Sequence, residues 1–137
     1  MGMLGIGVDV VNLPRIAALV KRRTAQKLAS RILSANEWED WLKISHADPA
    51  QQVRFLAVRW SLKEAAYKAM FPHVQPTWKE LTYSKLNAER LLKPALEYTP
   101  FQVTQNKIGR IHCSVSHDGE YVFTSVLVEE HRNELSS

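Results

Sequence analysis

Phe55-Leu56-Ala57-Val58-Arg59-Trp60-Ser61-Leu62-Lys63-Glu64-Ala65-Ala66-Tyr67-Lys68-Ala69 lies inside a stretch that opens at Asp48-Pro49 and is closed by Pro72. A proline fits the first turn of a helix and cannot continue its interior, so the longest helix is predicted from Pro49 to about Met70. At ~1.5 Å per residue that element is roughly 33 Å long. Turning it by ~100° per residue puts Phe55, Val58, Leu62, Ala65, Ala66 and Ala69 on one side. Val53, Leu56, Ala57, Trp60 and Tyr67 fall on the other. A helix apolar on both sides is sandwiched in the interior. Glu64 is expected inside the second apolar stripe, with Lys68 one turn further on.

Outward from this rod, Leu4-Gly5-Ile6-Gly7-Val8-Asp9-Val10-Val11 is short, β-branched and apolar, and reads as a buried strand. Asn12 and Pro14 then open a helix. In it Ile16, Leu19 and Val20 share one face, and Arg15, Ala18 and Arg22 form a second row. Ser34-Ala35-Asn36-Glu37 matches a capping box, after which Trp38, Trp41 and Leu42 fall together on a short helix. Beyond Pro72 the chain turns β-rich, with short strands at Leu81–Ser84 and Ala95–Tyr98 and a turn at Asn106–Gly109. Ile111–Ser116 and Tyr121–Val128 flank Asp118-Gly119 as a hairpin, its loop read as longer than two residues. Strand, helices, then strands specify an α+β fold: an antiparallel sheet with a long buried central helix and shorter flanking helices. Residues 1–130 read as a single domain and 131–137 as a polar tail.

Composition narrows the function. The 137 residues are 45% hydrophobic, which is enough for a core. Eighteen Lys and Arg against fourteen Asp and Glu leave +4, favouring an anionic partner. The single cysteine, Cys113, permits no internal disulfide and argues against a thiolate zinc site. No apolar run reaches the ~18 residues a membrane span needs. The segment Met1–Val11 lacks a basic flank and carries Asp9, so it does not read as a secretory signal.

Three places depart from local pattern. Asp9 interrupts an apolar strand, where a carboxylate needs a hydrogen bond, a counter-charge or a metal. Capping the next turn or pairing with an arginine would satisfy it equally well. Glu64 and Lys68 stand at i and i+4, which is also the spacing of an ordinary helix-surface pair. Ser114-Val115-Ser116-His117-Asp118 closes a strand at a turn, which its polar side chains could simply serve. Taken together the residues are more informative. Two carboxylates on separate core elements suit Mg²⁺, which takes few protein oxygens and fills its shell with water and phosphate oxygens. Arg59, Lys63 and Lys68 would supply cations for a diphosphate, and Ser116-His117 donors for a nucleotide.

Gly5–Val11, Phe55–Ala69 and Ser114–Asp118, in that order, resemble the three signature segments of the 4′-phosphopantetheinyl transferases, and within them the small holo-acyl-carrier-protein synthase type. Arg15-Ile16 and Ser30-Arg31-Ile32-Leu33 resemble that type too. The resemblance implies transfer of the 4′-phosphopantetheine arm from coenzyme A to a serine of an apo acyl carrier protein, with release of adenosine 3′,5′-bisphosphate. It implies Mg²⁺ on Asp9 and Glu64, and Glu64 and Lys68 as catalytic residues. Coenzyme A contacts would come from Arg59, Lys63, Lys68, Ser116 and His117. The acceptor of the serine proton is left open between Glu64 and a metal-bound water relayed by a carboxylate. Carrier proteins of this kind are acidic helical bundles, so Arg15, Arg22 and Arg23 are the expected docking residues. The family type also implies a homotrimer. The cytoplasm is the expected compartment, or the mitochondrial matrix if the source is eukaryotic.

Two departures from the family pattern stand out. Phe71-Pro72-His73-Val74-Gln75-Pro76 replaces a glycine-rich turn, and Ala50-Gln51-Gln52 replaces basic residues ahead of the helix core. Contacts to a 3′-phosphate are therefore expected from Arg54 or Lys79. Two rival readings remain weaker. A nucleic-acid-binding module would need its tryptophans for stacking, yet Trp38, Trp41 and Trp60 fall on core-packing faces. A Cys113–His117 nucleophile pair would sit roughly 13 Å apart along one strand, too far to touch.

Overall fold

A computed structural model describes residues 2–84, 94–102 and 107–132. Strand β1 (Met3–Asn12) leads into helices α1 (Leu13–Arg23), α2 (Ala25–Ile32) and α3 (Ala35–Leu42), then the long α4 (Pro49–Met70). A short 3₁₀ turn at Trp78–Glu80 precedes β2 (Leu81–Ser84), β3 (Ala95–Tyr98), β4 (Ile108–Asp118) and β5 (Tyr121–Glu130). The strands form two antiparallel sheets, a three-stranded one in the order β1-β5-β4 and a two-stranded β2-β3 pair. The fold is α+β, as the order of elements implied.

Local chemistry sets the helix boundaries. The Asn12 side chain accepts from the Arg15 amide at 3.2 Å, and Asp48 caps α4 by accepting from the Gln51 amide at 3.1 Å. Ser34 and Glu37 complete a reciprocal box on α3, with Ser34 N–H to Glu37 Oε1 at 2.9 Å and Glu37 N–H to Ser34 Oγ at 3.3 Å. Helix α4 stops at Met70, because the residue before Pro72 is pushed out of helical geometry.

Helix α4 is enclosed along most of its length. Its first half packs with Ile16, Leu28, Ile32 and Trp41 from the three short helices. Its second half packs with Val126 and Val128 of β5 and with Leu81, Tyr83 and Leu96 of the small sheet. Two glycines of β1 permit the closest approach: a Cβ at Gly5 would overlap the Ala69 carbonyl, and one at Gly7 the Ala65 carbonyl.

Several expectations are corrected. Strand β1 is buried on one face only; Ile6, Val8 and Val10 are 58%, 42% and 56% exposed, because the three-stranded sheet has α4 on one side and, among the described residues, no element on the other. The C-terminal end of α4's second stripe is open: Tyr67 is exposed, stacked on Phe71, and Glu64 is half-buried, since among the described residues no helix covers that end. Leu42 likewise faces solvent while Trp41 is buried. Ile108 and Gly109 belong to β4 rather than a turn, and Asn106 lies outside the described residues. The β4–β5 loop is the tight two-residue kind: Asp118 pairs with Tyr121, and Gly119 (φ 55°) with Glu120 makes the turn. Of the expected polar tail, His131 still bonds its amide to the Lys107 carbonyl, and residues 133–137 lie outside the described ones.

Candidate active site

The glycine contact between β1 and α4 decides where Asp9 goes. Side chains alternate along a strand, so Gly5, Gly7 and Asp9 share the face toward α4. Gly5 rests on Ala69 and Gly7 on Ala65 and Ala69, so Asp9 arrives at the turn carrying Glu64 and Lys68. Lys68 Nζ donates to the Val8 carbonyl at 2.9 Å and to Asp9 Oδ1 at 3.4 Å. The other oxygen, Asp9 Oδ2, is buried and has no hydrogen-bond partner among the described residues. Asp9 thus pairs with a lysine, not an arginine. Burial first, then the charge of Asp9, raises the Glu64 pKa above the usual carboxylate value, while Lys68 pulls it down. Beside Glu64 opens a pocket of about 360 Å³ with an apolar wall of Tyr67, Pro76, Trp78 and Leu81.

An orphaned carboxylate oxygen next to a second carboxylate with a raised pKa is a donor set suited to a hard cation. Among the described residues no group of three or more His, Cys, Asp or Glu could hold a metal. An ion here would rest on Asp9 and Glu64 and complete its shell with water or substrate oxygens, as Mg²⁺ does.

A second cleft, of about 490 Å³, lies further up α4, lined among others by Arg54, Phe55, Arg59, Tyr83 and His117. The Arg59 guanidinium lies 3.5 Å from the Phe55 ring centroid, a cation–π contact. Burial lowers the Arg59 pKa, against the charge of Glu37, which supports the cation. Ser116 does not share this cleft. It pairs with Phe123 on the opposite face of the sheet, since neighbouring strand residues point to opposite sides.

Lys63 turns inward. Its ammonium, with the side chain only 1% exposed, donates to Glu37 Oε1 at 2.5 Å, the Ile32 carbonyl at 2.7 Å and the Trp78 carbonyl at 3.0 Å. All three of its hydrogens are spent inside the protein, so the expected ligand contact would have to break one of these bonds. Lys79 is similarly committed, donating to the Ser30 carbonyl and to the Leu33 carbonyl at 2.6 Å at the end of α2. That leaves Arg54 as the cleft cation of the two residues expected there. Arg15, Arg22 and Arg23 are all exposed on α1. Glu37 was legible only as half of a capping box; its wider role depends on elements distant in sequence.

Residues 5–126 match the pattern of the 4′-phosphopantetheinyl transferase superfamily. The chain belongs to that superfamily. The transferase is 36% identical over 132 residues to the holo-[acyl-carrier-protein] synthase of Erwinia tasmaniensis, covering 94% of this chain and 99% of the relative. It superposes on the holo-[acyl-carrier-protein] synthase of Neisseria meningitidis with a TM-score of 0.75 at 28% identity, over 93% of this chain and 98% of that one. The synthase of Bacillus anthracis, solved in complex with CoA (3′,5′-ADP), gives a TM-score of 0.69 at 26% identity, over 96% and 100% of the two chains. Among the transferase's described residues no helix is long and apolar enough to cross a membrane.

Proposed function

We propose that this transferase is a holo-acyl-carrier-protein synthase. It moves 4′-phosphopantetheine from coenzyme A to a serine hydroxyl of an apo acyl carrier protein and releases adenosine 3′,5′-bisphosphate. A serine O–P bond forms, the bond between the two phosphorus centres' bridging oxygen and the pantetheine-side phosphorus breaks, and the serine proton leaves. The observation that carries this reading is the convergence of Asp9, with its unpartnered oxygen, on Glu64 and Lys68.

Asp9 and Glu64 would hold Mg²⁺, which when bound supplies positive charge to the diphosphate under attack. Lys68, half exposed at the rim, is placed to donate to the departing phosphate. The serine proton would pass to Glu64 or to a metal-bound water relayed by a carboxylate. Arg59, Arg54 and His117 form a cleft for the nucleotide end, with its 3′-phosphate on the arginines. Lys63 supports this arrangement from beneath. The exposed row Arg15, Arg22 and Arg23 would meet the acidic carrier protein, steering encounter in a salt-dependent way.

The uncovered sheet face supports the homotrimer. Ile6, Val8 and Val10 of β1 adjoin Tyr121 and Phe123 of β5, which are 52% and 49% exposed. A contiguous apolar patch of this kind is the mark of an interface. Ser116 lies on that face beside Phe123, so assembly would carry it toward a neighbouring subunit's site. The bacterial relatives favour the cytoplasm as the compartment.

Incubation with coenzyme A, Mg²⁺ and apo acyl carrier protein should add the phosphopantetheine mass to one serine. Asp9→Ala and Glu64→Ala should abolish the gain while leaving the circular dichroism spectrum intact. An active Glu64→Ala, or no mass gain with the unaltered enzyme, would sink the proposal. Light scattering should give three copies, and Phe123→Glu should yield monomer.

A further inference from the structure

Glu37 is a carboxylate that neither the fold pattern nor the proposed chemistry calls for, and its side chain is fully enclosed. It gathers four partners. Oε1 accepts from the Ser34 amide at 2.9 Å and from Lys63 Nζ at 2.5 Å; Oε2 accepts from the Tyr83 amide of β2 at 2.9 Å and stands 3.8 Å from Arg59 Nε. Through Lys63 the network also reaches the end of α2 and the Trp78 carbonyl.

Two features separate this from a purely structural cluster. The first is charge. One carboxylate faces two cations, Arg59 and Lys63, and all three side chains are buried. An unmatched buried charge is costly, and no carboxylate lines the cleft into which Arg59 faces; its other named cation is Arg54 and its imidazole is His117. Among the described residues the other carboxylate whose charge reaches Arg59 is the more distant, half-exposed Asp40, so an anion in the cleft would complete the balance. The second is geometry. At 3.8 Å Glu37 attracts Arg59 Nε without a hydrogen bond, and that N–H has no partner among the described residues. Arg59 otherwise donates to the Phe55 carbonyl at 3.4 Å and lies 3.5 Å from the Phe55 ring centroid and 5.3 Å from that of Tyr83. The Nε–H is itself buried, so it is the Nη groups, with one bond to the Phe55 carbonyl among the described residues, that would meet a ligand.

We propose that Glu37 is a positioning residue for the coenzyme A cleft: it holds Arg59 aimed at an incoming phosphate, and it neutralises Lys63 so that the excess positive charge is expressed at Arg59. The assignment rests on the function proposed above. It makes Glu37 a residue that tunes coenzyme affinity without touching substrate.

The test measures kcat and KM for coenzyme A, at saturating apo carrier protein, in the unaltered enzyme, Glu37→Gln, Glu37→Asp, Arg59→Gln and the Glu37→Gln/Arg59→Gln double variant. Folding is followed by circular dichroism. Glu37→Gln should raise KM for coenzyme A about tenfold, leaving kcat within about threefold and KM for the carrier unchanged. Glu37→Asp, which keeps the charge, should recover most of that loss. In the double variant the KM should be no higher than in Arg59→Gln alone, because the two residues act as one unit. If Glu37→Gln alone does not fold, pairing it with Lys63→Met removes one charge of each sign, and the cycle is run in that background. Multiplicative KM effects in the double variant, or a fall in kcat with KM unmoved, would overturn the assignment while leaving the enzyme function standing. An unaltered enzyme that transfers nothing from coenzyme A would overturn both.

Discussion

Gly7→Ala adds one methyl group at the point where β1 lies against α4. The new Cβ would meet the Ala65 carbonyl oxygen, with the Ala65 carbonyl carbon and the Ala69 amide nitrogen each 2.9 Å away. All of these are backbone atoms of a long helix, so no side chain can swing aside, and the strand must move. Forcing an extra methyl into a packed contact costs about 1–3 kcal/mol, and the rigid neighbours place this case near the upper end. At roughly 3–5 °C per kcal/mol for a chain of this size, the melting temperature should fall by about 10 °C. The catalytic effect should be larger in proportion. Asp9 lies two residues along the same face, and a displacement of about 1 Å at a reacting centre can cost about a hundredfold in rate. Circular dichroism melting and phosphopantetheine transfer to apo carrier protein measure the two effects. Gly119→Ala is the control. Its Cβ would meet nothing within 4 Å, but φ of 55° strains an alanine by about 1–2 kcal/mol. It should lower the melting temperature modestly and leave transfer unchanged. A Gly7→Ala protein with near-normal melting and activity would refute the argument that the glycine contact sets the Asp9 position.

Other outcomes follow from single contacts. Ser61 and Thr124 share a buried hydrogen bond at 2.7 Å, so Thr124→Val should cost about 1–3 kcal/mol by orphaning the Ser61 hydroxyl, read from urea unfolding midpoints. Burial raises the Tyr83 pKa above 10.0, with Cys113 adding to the rise and Arg59 opposing it. Between the unfolded and folded pKa values the folded chain binds more protons, so stability should fall as pH rises above 10; Tyr83→Phe should flatten that slope. Lys68→Ala should reduce kcat more than coenzyme A affinity, and unchanged turnover would remove it from the chemistry.

The parts of this protein that one sequence determines are those governed by neighbours within a few residues. The caps at Asn12, Ser34 and Asp48, the stop before Pro72 and the β4–β5 hairpin all depend on local hydrogen bonding and backbone sterics. The apolar sides of the central helix and the candidacy of Asp9, Glu64 and Lys68 were legible for the same reason, since residue type and spacing carry them. Tertiary structure decided the rest, because burial and charge pairing are properties of surfaces brought together from far apart. Lys63 and Lys68 are both lysines of one helix five residues apart, yet only the approach of Glu37 and Trp78 draws the first into the interior. Only the approach of Gly7 brings the second to Asp9. Likewise an alternating apolar strand reads the same whether its far side meets its own chain or another, and only the sheet order leaves Ile6, Val8 and Val10 uncovered.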